Sequence, residues 1–356
     1  MQKKSPRPRD VARPLRVSSI GEFGLIRRIK KNAQKQLERV CVPCDPAILL
    51  GIGDDAAAVL PSPGNCLLVT TDILLEKTHF DLALSSFFQI GYKSIAVNLS
   101  DIAAMGGVPR FYLVSLGLTG KESVSDMDHL YQGMFWAGHE AGISLIGGNT
   151  ARSAFLLISI TLLGEIPKNE MVMRSGANVG DCLYVTGTLG DSAAGLEILQ
   201  KRMRKGTFRG LPSKHQMPMA RWREGRLLAQ NQIPSAMIDL SDGLSSDLSH
   251  LAIQSGVGAR LECKNIPISP TLKRYAKSIG ANPYDYALHG GEEYELLFCV
   301  PEEKRDKLEA LIQNGEIEAR QIGKLIPKRN GILVKGIDGA IYKLRPSGYD
   351  HFNEKR

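Results

Sequence analysis

Three neighbouring stretches decide the fold: LLVTTDILL (67–75), FFQIGYKSIAVNLSDIAAMG (87–106) and RFYLVSLGLT (110–119). The outer two are short apolar runs that read as strands, and the middle one repeats its apolar residues at helical spacing. The pattern continues outward with a helix in DMDHLYQGMFWAGHEAG (126–142) and strands in ISLIGG (143–148) and FLLISITLLGEI (155–166). Upstream, GEFGLIRRIKKNAQ (21–34) reads as a helix, and the Pro- and Arg-rich opening, residues 1–20, as a disordered basic extension.

A polar, turn-rich break at 167–181 separates this half from a second one. There CLYVTGTLG (182–190) is a strand and turn, DSAAGLEILQKRM (191–203) and MARWREGRLLAQ (219–230) are helices, and AMIDLSDGLSSDLSHLAIQSG (236–256) follows. EYELLFCV (293–300) is a strand and EEKRDKLEALIQ (302–313) a helix, while RKGTFRGLPSKHQMP (204–218) reads as a mobile basic loop. The chain is therefore expected to be α/β (α+β), with helices layered on one face of a sheet in each of two domains, 21–166 and 167–352.

Composition narrows the function. Of 356 residues, 43% are hydrophobic and 23% charged, enough apolar surface for a core in each half. The formal charge of +8 is concentrated in residues 1–16, net +5, and 201–226, net +8, so the remainder is acidic. Only Phe208 and Trp222 stand among those basic residues to stack on bases, which argues against a nucleic-acid partner. The six cysteines are scattered, and Cys41-Val-Pro-Cys44 lacks the second pair that a zinc site needs. Neither a leader nor a membrane-length apolar run is visible, so the expected compartment is the cytoplasm with reduced thiols.

Chemistry resides in repeated glycine and acid clusters at element ends: Gly51-Ile-Gly-Asp-Asp55, Thr70-Thr-Asp72, Asn98-Leu-Ser-Asp101, Gly147-Gly-Asn-Thr150, Asp239-Leu-Ser-Asp-Gly243 with Asp247, and Gly290-Gly-Glu-Glu-Tyr-Glu295. Each alone could be a helix cap or a turn. Together, their hard oxygen donors suit several Mg²⁺ ions and a phosphate-bearing ligand. A Walker loop, an H-E-x-x-H motif, the kinase H-R-D and D-F-G pair and a nucleophile elbow are all missing, so the usual phosphate-binding machinery does not apply.

At these residues the sequence resembles the thiamine-monophosphate kinases, within the superfamily that includes aminoimidazole ribonucleotide and selenophosphate synthetases. The matching runs are GEFGLI, GIGDDAAAV, TTDILLEKTHF, AVNLSDIAAMGG, LIGGNT, VTGTLGDSAAGL, IDLSDGLSSDL, GGEEYELLF and GYDHF, covering roughly residues 21–352. The resemblance implies a two-domain aminoimidazole ribonucleotide synthetase-like fold. In that fold an N-terminal mixed sheet forms a barrel at a homodimer interface and binds ATP, and a C-terminal α/β domain covers the site. It further implies direct transfer of the ATP γ-phosphoryl group to thiamine monophosphate, the last step in making thiamine diphosphate.

Carried over residue by residue, Asp55, Thr70, Thr71, Asp72, Asp101, Asp239 and Asp242 would hold magnesium. Tyr131, Gly148, Asn149, Arg174 and Ser241 would contact ATP, and His79, Glu292 and Tyr349 the thiamine substrate. Asp72, Asp101 and Arg174 would carry the catalysis, since phosphoryl transfer is mainly alignment and charge neutralisation. Asn149 stands where the family usually has aspartate, so it would ligate magnesium through a neutral amide oxygen and more weakly. The alternatives are another ATP-dependent member of the superfamily or a nucleic-acid-binding protein. Selenophosphate synthesis would need a reactive cysteine, and Cys41 and Cys44 lack a glycine-rich setting.

Overall fold

A computed structural model describes residues 14–39, 45–52, 56–203, 206 and 208–347. The first half runs α1 (Val17–Arg39), β1 (Ile48–Leu50), β2 (Ala58–Val59), β3 (Asn65–Leu75), α2 (Phe87–Ala104), β4 (Val108–Leu118), α3 (Val124–Ala141), β5 (Ser144–Arg152) and β6 (Leu157–Pro167). The second runs β7 (Cys182–Thr186), α4 (Asp191–Gln200), α5 (Gly210–Gln216), α6 (Trp222–Gln230), β8 (Ala236–Asp239), α7 (Leu244–Ser255) and β9 (Val257–Glu262). It closes with α8 (Pro270–Ile279), α9 (Pro283–His289), β10 (Leu296–Val300), α10 (Arg305–Gln313), β11 (Ala319–Pro327), β12 (Ile332–Lys335) and β13 (Ile341–Lys343).

Two main sheets result. The first has order β3-β6-β4-β5, antiparallel except for the parallel β4–β5 pair. The second has order β13-β12-β9-β11-β7-β10-β8, antiparallel except where β12 meets β9. Helices α2 and α3 cover one face of the first sheet, and both start at serine capping boxes, Ser86 with Gln89 and Ser123 with Asp126. The two helices lie in direct backbone contact: a Cβ on Gly91 would fall 1.9 Å from the Leu130 carbonyl oxygen, and one on Gly133 would fall 1.9 Å from that of Phe88.

Helix α2 is the centre of the molecule. Fourteen of its residues are buried, from Ile90 through Ala104 with Asp101 as the partly exposed exception. Its early turns pack in the N-terminal core, whereas Ala103 and Ala104 join Leu228, Ala229, Tyr184 and Phe298 of the C-terminal half in a shared apolar cluster. A helix buried on nearly every side is hydrophobic nearly all round, which is why its few polar residues are informative.

Four expectations change. Ordered structure starts ahead of Gly21, because Arg16 bridges to Ser123 and Val17 is buried. The basic stretch 204–218 contains helix α5, whose Leu211 and His215 are buried. The Gly147–Thr150 segment lies inside β5, because pairing with β4 continues to Arg152. In β3, Thr71 points to the face opposite Thr70 and Asp72, as the two-residue period of a strand requires, and its hydroxyl donates to the Ile160 carbonyl at 3.0 Å.

Candidate active site

Asp72, Asp101 and Asp239 meet where the two halves adjoin. Thr70 and Asp72 point from β3 toward α2, and the Thr70 hydroxyl donates to Asp101 Oδ2. From the other side, Asp239 ends β8 and accepts a 2.7 Å hydrogen bond from Ser100 Oγ, the α2 residue next to Asp101. Burial raises the Asp72 pKa to about 6, helped by the Asp101 charge. Burial, then Asp101 and Asp72, raises Asp239 to about 7, against the opposing effects of Ser100 and Arg174. Asp101 is also raised, chiefly by burial, while Thr70 and the exposed Arg174 restrain it.

The turn after β8 adds Ser241 and Asp242. Asp247, in the first turn of α7, accepts the Asp242 and Gly243 backbone N–H groups at 3.1 and 3.0 Å. Burial first, then Asp239 and Asp242, pushes its pKa to about 8. This acidic end opens into a cavity of about 950 Å³ lined also by Thr71, Lys93, His79, His215, Glu292 and Tyr294. His79 Nδ1 accepts the Leu75 backbone N–H at 3.0 Å, so the neutral ring carries its proton on Nε2.

The 290–295 loop is fixed residue by residue. Glu292 N–H donates to Ser241 O at 2.7 Å and Tyr294 N–H to Leu240 O at 2.9 Å. Buried Glu293 accepts the Gly190 and Ser192 N–H groups at the start of α4, at 2.9 and 3.2 Å. Glu295 takes a forked pair of bonds from Arg221, at 2.6 and 2.8 Å, and one from Thr186. Glu292 is left facing the cavity. Burial disfavours its charge, but Lys93 and His215 outweigh that and hold its pKa down to about 2.

Of the residues singled out in the sequence, Asp72, His79, Asp101, Asp239, Ser241, Asp242 and Glu292 line this cavity, Thr71 borders it with its hydroxyl turned to the Ile160 carbonyl, and Arg174 is close enough to act on two of its acids. Tyr131 does not: it is 4% exposed, packed against Phe135 within the helix layer. Gly148 and Asn149 are exposed on β5, at the sheet edge opposite β3, and Asn149 Oδ1 accepts its neighbour Thr150's N–H. Asp55 and Tyr349 lie outside the described residues. Lys93 and His215 escaped sequence reading, and the only available signal was a lysine within an otherwise apolar helix.

Among the described residues, no three carboxylate, imidazole or thiolate groups are already drawn into a cation cage. The donor set nevertheless fits hard divalent cations: three mutually repelling carboxylates and a threonine hydroxyl, in a pocket where burial disfavours their charge.

The fold and this acidic cleft define the chain as a two-domain protein related to AIR synthase. Residues 53–166 match the family model for the AIR synthase related protein N-terminal domain, and residues 178–336 match its C-terminal domain. Within that class the chain belongs to the thiamine-monophosphate kinase family. It is 36% identical to the thiamine-monophosphate kinase of Aquifex aeolicus (strain VF5), over 95% of this chain and all of that protein. A thiamine-monophosphate kinase structure from Stenotrophomonas maltophilia K279a superposes with a TM-score of 0.78 at 34% identity, covering 91% of this chain and 98% of that one. AaThiL complexed with AMPPCP and TMP gives 0.73 at 36% identity, covering 95% and 99%.

The raised carboxylate pKa values fix a sign. Protonation of Asp72 and Asp239 is favoured in the folded state, so their cost is fully present above about pH 7 and fades as pH falls toward the usual value of about 4. Metal-free protein should melt higher at pH 5.5 than at pH 8, and Mg²⁺ should stabilise it more at pH 8. Asp239→Asn should raise the metal-free melting temperature at pH 8 by at least about 2 °C and shrink the Mg²⁺ effect, as read by scanning calorimetry.

Proposed function

We propose that the chain transfers the γ-phosphoryl group of ATP directly to the phosphate of thiamine monophosphate, giving thiamine diphosphate and ADP. One observation carries this reading: the crowded carboxylates of both halves open into the same cavity as His79 and Glu292, so nucleotide phosphates and acceptor have one continuous space. The family relationship, and a relative complexed with AMPPCP and TMP, support the same pair of substrates.

In this reading Asp72, Asp101, Asp239 and Asp242 hold Mg²⁺, joined by Thr70 and Asp55. When bound, the ions neutralise the phosphate charge that accumulates in the transition state. An oxygen of the acceptor phosphate attacks the γ-phosphorus in line, and the bond to the β-phosphate oxygen breaks as ADP leaves. That oxygen is already anionic at neutral pH, so no side chain has to remove a proton. Arg174, whose charge restrains the raised pKa values of Asp101 and Asp239, would fork onto phosphate oxygens. His79 and Glu292 face the thiamine half, Glu292 with its carboxylate as an acceptor, while Ser241 serves the nucleotide; Asn149, on the far sheet edge, stands apart from this cavity. Two domains, divided near residue 167, share the work.

We also propose a homodimer. On β3, Leu67, Val69 and Ile73 are 50%, 61% and 48% exposed, all on the sheet face away from α2 and α3. An apolar sheet face of this kind is usually covered, and pairing with a second copy across this face would cover it.

Two measurements test these readings. Purified protein with MgATP should convert thiamine monophosphate, but not free thiamine, into thiamine diphosphate by mass spectrometry; turnover of a different acceptor alone would reject the assignment. Val69→Asp should shift the sedimentation profile from dimer to monomer, and a wild-type protein that sediments as a monomer would reject the dimer.

A further inference from the structure

Two buried side chains on the cavity wall have no part in the mechanism above. Lys93, one turn of α2 beyond Gln89, is 4% exposed and is the one buried lysine among the described residues. Its ammonium is 2.6 Å from Glu292 Oε1. His215, on α5 and 7% exposed, places Nδ1 3.1 Å from Glu292 Oε2 and 3.3 Å from Ser192 Oγ. A ring nitrogen facing a carboxylate at that distance carries the proton and donates. Both Glu292 oxygens are therefore held, one from each half of the molecule.

The surroundings hold this arrangement in place. Glu292 and Tyr294 adopt φ values of +63° and +54°, a left-handed region that side chains occupy only where neighbours enforce it. Helix α5 lies directly on α4, where a Cβ on Gly195 would fall 2.1 Å from the Leu211 carbonyl oxygen. Next to His215, Gln216 donates to the Leu84 carbonyl and accepts from Gln89 Nε2 at 3.0 Å, tying α5 to the N-terminal half. The Glu292 side chain is 28% exposed, against 5% for Lys93 and 8% for His215, so it alone of the three presents usable surface to a ligand.

We infer that Lys93 and His215 are positioning residues that clamp Glu292, so that its remaining lone pairs face the cavity as fixed acceptors for an N–H donor on the acceptor substrate. Glu292 thereby selects an amino-substituted heterocycle, a demand the aminopyrimidine of thiamine monophosphate meets. The inference rests on the acceptor assigned above. Loosening the clamp should weaken acceptor binding in the ground and transition states alike, which raises KM and spares kcat.

The test compares steady-state kinetics with thiamine monophosphate and with oxythiamine monophosphate, in which the amino group is replaced by oxygen. Wild-type enzyme should prefer the amino substrate by about tenfold or more in kcat/KM. His215→Phe and Lys93→Met should raise KM for thiamine monophosphate about tenfold, keep KM for ATP within about twofold, and erase most of that preference. His215→Asn, whose amide nitrogen can stand near the Nδ1 position, and Lys93→Arg should recover it. An unchanged preference in the variants, or equal rises in both KM values, would overturn the inference. If Lys93→Met melts before assay, the His215→Phe and His215→Asn pair decides. Wild-type protein that turns over no thiamine monophosphate would instead strike down the acceptor assignment.

Discussion

The constraint on which the rest of the structure depends is the mutual repulsion of Asp72, Asp101 and Asp239. They come from β3, α2 and β8, so each folding half contributes part of an anionic cluster that neither half forms alone. The apolar burial of α2 forces the meeting, because the helix is packed by the first sheet, by α3 and by the second half together. Ser100 and Thr70 orient the acids with hydrogen bonds, and Arg174 offsets part of their charge. The crowded charge costs stability locally, as the raised pKa values of Asp72 and Asp239 record.

The other end of the cavity follows the opposite electrostatic rule. There Lys93 and His215 hold Glu292 ionised despite burial, and the strained 290–295 loop keeps it aimed inward. A carboxylate forced toward protonation and a carboxylate held firmly charged thus line one space. That polarity matches a substrate pair with phosphates at one end and a heterocycle at the other.

Much of this was legible in the sequence, because acids and glycines at the ends of apolar runs break the pattern that a pure core would follow. Strands β3, β4 and β6 and helices α2 and α3 emerge from periodicity alone, and the clusters around Asp72, Asp101 and Asp239 stand at their ends or on their buried faces. What stayed hidden is tertiary. Lys93 and Glu292 are far apart in the chain, and their ion pair has no local signature. Helix α5 was obscured by the basic residues around it: its buried face against α4 is only Leu211 and His215, one turn apart, and one of the two is polar. The two-residue period of β3 separates Thr71 from Thr70 and Asp72, a distinction that reading the triplet as one unit missed.

If the carboxylates are crowded as described, binding a divalent cation must expel protons from them. Calorimetric titration of Mn²⁺ in the presence of AMPPCP at pH 6.5, repeated in buffers of different ionisation enthalpy, measures that release. With Asp72 and Asp239 raised to about 6 and 7, the account predicts release approaching one proton per chain, falling sharply in Asp239→Asn. Binding of Mn²⁺ without proton release, or release unaltered by that substitution, would contradict it.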